Sequence, residues 1–338
     1  MRRRLRTLFY GISHEHASGK LASLQRLGEV FEIVAVVDDR RRTSARFLDP
    51  AWPIDLTGLP VVGEDAVDGV GDIDVAFVET ANADLMEVAA RFAERGIAMH
   101  CDKPCGEAME PYRTLVGKCR AKNVPFQIGY MYRGNPALKW IAARVGEGLL
   151  GDVTFVEADM NHDYGTAGYA EYIASFRGGI FYNLGCHLVD LALPLVRGGF
   201  VSALSAFGDA PGDPVGSKTS GAAFLRFGGT DVLLRASARM PGGILCRRLR
   251  VDGTNGTLDL CPIERFDGGA LKLSLSLKEG RCGRVAGRQE ISFGVQTDRY
   301  ADQLLDLAAI VRGDKPNDQE YDRDLKVHEI LLKACDMA

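Results

Sequence analysis

The chain has 338 residues, of which 46% are hydrophobic and 25% charged, which excludes a disordered or fibrous protein and is long enough for two cores rather than one. A net charge of −4, with no basic stretch beyond Arg2, Arg3, Arg4 and Arg6, argues against a nucleic-acid partner. No apolar run approaches the ~20 residues of a membrane-spanning helix, so no membrane partner is expected. Eight cysteines without paired CxxC spacing read as buried thiols in a reducing, cytoplasmic compartment.

Leu5 to Tyr10 reads as a first strand; the apolar run is broken at once by Ser13, His14, Glu15 and His16, so no secretory leader is expected. Ala17, Leu21 and Leu24 recur at helical spacing, and Ile33 to Val37 suits a strand buried on both faces. Further strands read at Val75 to Val78, Ile97 to His100 and Phe126 to Tyr130, with helices near 84–95 and 107–122 between them. That alternation gives βαβ units and a doubly wound parallel sheet. The pattern then changes to shorter alternations at Val153 to Ala158, Ala222 to Phe227, Val232 to Ala236 and Leu271 to Leu277, which suit a larger, mainly antiparallel sheet. Two helices close the chain, one from Tyr300 to Val311 stopped by Gly313 and Pro316, the other over Val327 to Ala334. The expected fold is α/β, with an N-terminal Rossmann domain over 1–123 and a C-terminal α/β domain on an open antiparallel sheet over 124–338.

The first strand runs into Gly11-Ile12-Ser13-His14-Glu15-His16, where a GxGxxG phosphate loop would stand, but only its first glycine is present. A tight turn with backbone N–H groups at a helix N-terminus still favours pyrophosphate, and Ser13 adds a hydroxyl donor; an ordinary strand-to-helix turn is the alternative. Asp38, at the end of the second strand, suits the ribose hydroxyls of a dinucleotide, or is simply a turn residue. A carboxylate there favours NAD, whereas Arg40, Arg41 and Arg42 offer NADP a grip on its 2′-phosphate. Glu79, Thr80 and Asn82 lie where the 75–78 strand ends, the edge at which open α/β sheets place their ligands; Asn82 suits the nicotinamide ribose or the N-cap of the next helix. Neither His14 with His16 nor His100 with Cys101 and Cys105 has the ligand count of a zinc site, and no metal is expected.

Three stretches together resemble the Gfo/Idh/MocA oxidoreductases. They are Cys101-Asp102-Lys103-Pro104, similar to that family's E-K-P motif; Gly129 to Pro136, similar to its "GY.yR.nP" segment; and Gly178 to Asp190, similar to its "GG.l.D.G.H..D" segment. The resemblance implies an NAD(P)-binding domain, a substrate domain built on an open sheet, a homo-dimer or homo-tetramer, and sugars, inositols or related polyols as substrates. It also implies that Lys103 matches the catalytic lysine and His187 the catalytic histidine, with Asp102 beside the cofactor. Asn183 departs from the pattern, standing where many members carry an aspartate that pairs with the histidine. Ala81 and Met86 depart as well, in place of a proline and a histidine.

Oxidising a secondary alcohol removes its hydroxyl proton while hydride leaves the same carbon. Lys103 would stabilise the developing charge on oxygen and His187 would act as general acid/base. An amide at Asn183 can orient the ring but carries no compensating charge, so more of the proton traffic is expected at Lys103. Tyr132, Arg133, Asp159, His162, Asp163, Tyr164 and Tyr169 supply the donors and acceptors a polyol requires, unless they form a solvated loop. The expected activity is NAD(P)-dependent hydride transfer on a sugar or polyol. The alternatives are glycoside cleavage through transient oxidation, or dinucleotide sensing without catalysis.

Overall fold

A computed structural model describes residues 2–42, 53–163 and 167–338; Tyr164 of the expected substrate cluster lies outside the described residues. The chain divides into two compact units, Met1–Met131 with Tyr300–Lys326, and Tyr132–Arg299 with Val327–Ala338.

In the first unit the elements run β1 (Leu5–Tyr10), α1 (Ala17–Arg26), β2 (Phe31–Asp38), β3 (Val61–Gly63), β4 (Val75–Val78), α2 (Leu85–Glu94), β5 (Ala98–Cys101), α3 (Met109–Lys122) and β6 (Phe126–Ile128). All strand pairs are parallel, in the order β3-β2-β1-β4-β5-β6. Helices cover such a sheet on both faces, which is why every residue of β4 and β5 is buried and why the strands read as continuous apolar runs. The strand order reverses between β1 and β4, so the carboxyl ends of these two strands flank the topological switch point. Gly11 follows β1 at φ +90°, where a Cβ would lie 2.6 Å from the backbone nitrogen of Thr80. Glycine is required there by conformation and by the close approach of two backbones.

The sequence places the domain boundary at 123/124, but the first unit extends to Met131. The reason is pairing: β6 lies beyond that boundary yet bonds to β5 in parallel, with Met99 opposite Phe126 and Cys101 opposite Ile128. The first unit also takes back Tyr300–Lys326, including the next-to-last helix, Ala301–Val311.

The second unit opens with α4 (Pro136–Gly146), capped by Asn135, whose side chain accepts from the Ala137 and Leu138 amides. Then follow β7 (Val153–Asn161), α5 (Ala167–Ala174), α6 (Gly179–Ala192), β8 (Phe200–Gly208), β9 (Ser220–Phe227), β10 (Thr230–Ser237), β11 (Arg248–Gly253), β12 (Gly256–Leu260), β13 (Ala270–Leu277) and β14 (Gly287–Val295). The eight strands form one sheet in the order β14-β13-β12-β11-β7-β10-β9-β8, antiparallel except for the β7–β10 pair. Burial alternates along β9 and β13 as expected of a sheet packed on one face. Helix α6 lies against β7, β9 and β10, and all of its residues are buried. The chain ends with α7 (Ala301–Val311) and α8 (Tyr321–Ala334). Among the described residues no helix is long and apolar enough to cross a membrane.

Replacing Gly11 by alanine forces a Cβ onto the Thr80 backbone at a positive φ, and is expected to lower stability by at least about 1–3 kcal/mol. Urea unfolding of the variant checks this, and an unchanged midpoint would show that the β1–β4 approach is less tight than described.

Candidate active site

In the first unit the switch-point edge is built around buried charge. Lys20 lies on the inward face of α1 with Ala17, Leu21 and Leu24. Its ammonium is fully buried, 2.6 Å from Glu79 at the end of β4 and 2.5 Å from Asp102 at the end of β5. Burial alone would lower the proton affinity of Lys20, but the two carboxylates outweigh it and raise its pKa. The carboxylates separate: burial and the Asp102 charge push Glu79 well above the usual range, while Asp102, despite burial, is held well below it by His14, His16 and Lys20.

The two loop histidines have their tautomers set by their partners. His14 Nε2 lies 3.1 Å from the Lys103 carbonyl and therefore donates, while its Nδ1 accepts the His16 amide at 3.2 Å. His16 Nδ1 faces both oxygens of Asp102 at 3.1 Å and donates to them. Burial lowers the pKa of both rings, that of His14 to about 4. The loop spacing of His14 and His16 does not disclose that Asp102 joins them, giving three ligand-type atoms within 4.8 Å of one another. Lys20 is already bonded to that carboxylate as the cation of the group.

Lys103 is fixed at its backbone before its side chain is considered. Its amide donates to Asp102 at 2.7 Å, its carbonyl accepts from His14, and Asn82 Nδ2 donates to the carbonyls of Lys103 and Pro104 at 3.1 and 3.3 Å. The buried Lys103 ammonium meets Glu15 at 3.0 Å. Asn82, offered for either a ribose contact or a helix cap, thus holds the Lys103–Pro104 turn, and Asp84 occupies the N-cap of α2.

Asp39, which the sequence reading passed over in favour of Asp38, braces the loop. It accepts the Ile12 amide at 2.9 Å, the Ser13 hydroxyl at 2.7 Å and the Thr80 hydroxyl at 2.7 Å. The Ser13 and Thr80 hydroxyls, expected to face a ligand, are therefore directed into the protein. Asp38 ends β2 partly exposed, bonded by both Arg40 Nε and Nη2, and the Arg40 contact lowers its pKa. Arg42 is directed instead to Glu64 at 2.7 Å.

In the second unit α6 presents Asn183 and His187 one turn apart, both buried. The His187 ring stands edge-on to Tyr132, with centroids 5.1 Å apart. The Tyr132 hydroxyl donates to Glu264 at 2.7 Å and accepts from Arg247 at 2.9 Å, while Arg299 reaches Glu264 at 3.0 Å. Burial raises the pKa of Tyr132; that of Glu264 is lowered by Arg299 and Arg247, which overcome the effect of burial. Arg133 bonds Asp190, three residues beyond His187 on the same helix, at 2.6 Å. His162 Nδ1 meets the Tyr169 hydroxyl at 2.9 Å.

Sequence reasoning missed Glu15, Lys20, Asp39, Arg247, Glu264 and Arg299. Only Lys20 carried a local signal, as a lysine on an otherwise apolar helix face, where burial requires a paired charge. The partners of the others are distant in sequence.

Residues 139–259 match a family model described as GFO/IDH/MocA C-terminal domain. Among curated relatives, the chain is 30% identical over 120 residues to the rhizopine catabolism protein MocA of Rhizobium meliloti, covering 36% of this chain and 37% of that protein. It is 27% identical over 189 residues to inositol 2-dehydrogenase of Rhizobium meliloti strain 1021, covering 55% and 54%. The matched part thus spans about a third to a half of the length of these relatives. Its fold is shared with the crystal structure of an inositol dehydrogenase homolog from Azotobacter vinelandii complexed with NADH and myo-inositol, at a TM-score of 0.77, 14% identity, and coverage of 99% of this chain and 96% of that one.

Replacing Lys20 by methionine leaves two buried carboxylates without their ammonium and is expected to destabilise the protein by about 3–5 kcal/mol, measured by denaturant unfolding; a loss below about 1 kcal/mol would show that the cluster is solvated. His14 and His100 are held neutral by burial, with pKa values lowered to about 4 and about 3. Their folded values lie below the unfolded one, so the stability they contribute is present above about pH 6.5 and lost as pH falls. Between about pH 6 and pH 4 each is expected to remove about 1.4 kcal/mol per pH unit. Unfolding free energies across that window test this, with His14→Gln and His100→Gln each expected to flatten the slope.

Proposed function

We propose that the chain, whose residues 139–259 match a GFO/IDH/MocA C-terminal domain model, is an NAD(P)-dependent oxidoreductase acting on the secondary alcohol or ketone of a sugar, inositol or related polyol. The observation that carries this reading is the fixing of Lys103 at the carboxyl edge of β5, its backbone bonded on both sides and its ammonium held beside the Gly11 loop by Glu15.

In the first unit the N-terminus of α1 suits a pyrophosphate and Asp38 at the end of β2 suits the adenosine ribose, whereas the Ile12 amide and the Ser13 hydroxyl of the glycine turn are taken by Asp39. The Asp38 carboxylate favours NAD. A second reading, NADP, is supported by Arg40, which neutralises that same carboxylate in a bidentate pair. When bound, the nicotinamide supplies the hydride acceptor or donor.

The rest of the chemistry falls to the chain. Lys103 holds or moves a proton at the substrate oxygen and stabilises charge developing there. His187 serves as acid/base, Asn183 orients it, and Tyr132, Arg133, His162 and Tyr164 contribute to polyol recognition. The arrangement around His187 supports this assignment: Tyr132 is tethered by Glu264 and Arg247, so the ring packed against its edge has a fixed wall.

The test joins binding to turnover. NAD or NADP at 100 times its Kd is expected to add about 2.7 kcal/mol to the stability of the protein, and a polyol panel is expected to yield reduced cofactor at 340 nm (on the order of the usual nicotinamide absorbance, with turnover in the ordinary enzymatic range). His187→Asn is expected to reduce kcat about 10²- to 10⁴-fold. Cofactor binding without turnover, together with release of a chromogenic aglycone, would favour redox-assisted glycoside cleavage. Binding with neither activity would favour a sensor, and no binding at all would end the reading.

A further inference from the structure

We propose that Glu15 and His16, backed by Asp102, form a proton relay between Lys103 and solvent; this rests on the functional reading above. The geometry is a run of neighbouring groups within the first unit, hydrogen-bonded from Lys103 to Glu15 and within ion-pair range, though not hydrogen-bonded, from Glu15 to His16. Lys103 Nζ lies 3.0 Å from Glu15 Oε1, and that oxygen lies 3.8 Å from His16 Nε2. The opposite nitrogen of His16, Nδ1, is bonded to Asp102. Because Nδ1 donates to Asp102, the neutral ring carries its lone pair on Nε2, the atom that faces Glu15. The arrangement is an acceptor backed by a carboxylate, the same logic by which an aspartate orients a histidine base and stabilises its imidazolium.

Burial makes the run directional. The side chains of Lys103 and Asp102 are fully buried and that of Glu15 is 3% exposed, whereas His16 is 12% exposed. A proton collected at Lys103 therefore reaches water at the edge of the His16 ring. Among the charged and titratable groups facing that ring are Glu15, Asp102, Lys103, His14 and the ring of Tyr300. The histidine–aspartate pair that Asn183 denies to His187 is thus present in the chain, placed instead behind Lys103.

In alcohol oxidation the balance is as follows. The Lys103 ammonium first gives a proton to the Glu15 carboxylate, which passes it to His16 Nε2 and on to water. The Lys103 amine so formed takes the substrate O–H proton as the C–H bond breaks and its electron pair leaves as hydride for the nicotinamide, which restores the ammonium. The carbonyl product, the reduced nicotinamide and one released proton account for all atoms. Reduction runs the same path in reverse. Glu15 and His16 act through Lys103 and are positioning and relay residues, not groups that touch substrate.

The experiment compares the unaltered chain with Glu15→Gln, Glu15→Asp and His16→Gln, using NAD(P) and the polyol that the unaltered chain turns over. Glu15→Gln is expected to lower kcat tenfold or more with KM for polyol and cofactor changed less than threefold, and Glu15→Asp to recover most of the loss. His16→Gln is expected to slow kcat in the same sense and to remove one ionisation from its pH profile. A readout without turnover accompanies these: the Nζ resonance of Lys103 in ¹⁵N-lysine-labelled protein, assigned with Lys103→Arg, is expected to report about tenfold or greater loss of proton affinity in Glu15→Gln. Unaltered kcat in both Glu15→Gln and His16→Gln overturns the relay while leaving the functional reading intact. A changed Lys103 titration with unchanged kcat reduces Glu15 to a static counter-ion and likewise overturns it. Should Glu15→Gln fail to fold, Glu15→Asp and His16→Gln decide by the same criteria. An unaltered protein that turns over no polyol with either cofactor overturns the functional reading itself, and the relay with it.

Discussion

Two adjacent parallel strands, β4 and β5, each end in an acidic residue, and the two carboxylates are buried at one edge of the sheet with the Lys20 ammonium between them. Without that cation the edge would hold like charges out of water, which costs several kcal/mol per uncompensated ion. Everything proposed for the first unit hangs on this bridge. His14, His16 and Lys20 together hold Asp102 ionised, and the ionised Asp102 accepts the Lys103 amide and the His16 ring. Glu79 takes the opposite course, pushed toward its neutral form by burial and by the Asp102 charge against the pull of Lys20.

The loop after β1 shows how a phosphate-loop position can be kept with few glycines. In the glycine-rich version, small residues let the backbone turn and approach a ligand. Here Gly11 alone makes the turn, and Asp39 replaces the remaining flexibility with three hydrogen bonds to Ile12, Ser13 and Thr80. The cost of that rigidity is that the Ile12 amide and the Ser13 hydroxyl serve the fold. His16, in place of the last glycine, and its neighbour His14 are not passive either, since both bond to the β5 edge that carries Lys103.

What the sequence made legible follows from how local each signal is. Strands β1 and β4 could be read to the residue, because a strand buried on both faces is a bounded apolar run and needs no partner to be recognised. The open sheet was legible in kind from the alternation of four of its strands, while β8, β11, β12 and β14 went unread; in β8 the outward positions are apolar too, with Val201 and Leu204 63% and 76% exposed. The domain boundary was displaced because Phe126–Ile128 obtains its place from pairing with β5, which the local pattern does not contain. Site residues divide the same way. Lys103, His187 and Asn183 could be named from motifs, whereas Glu15, Asp39 and Glu264 owe their positions to partners distant along the chain.

The departure at Asn183 gains its sense from charge. A histidine that accepts a proton becomes a cation, and in a buried site that cation requires a nearby anion or strong dipole. On α6 the residue one turn before His187 is an amide, and the acid three residues after it, Asp190, is bonded to Arg133. Glu264, another buried carboxylate of that unit, is shared between Arg247 and Arg299. Both carboxylates are bonded to guanidinium groups. Around Lys103 the balance is reversed, with Glu15 in direct contact and Asp102 bonded to its amide. A positive charge at Lys103 is directly compensated there, and this contact is what supports placing proton traffic at the lysine in the proposed reaction.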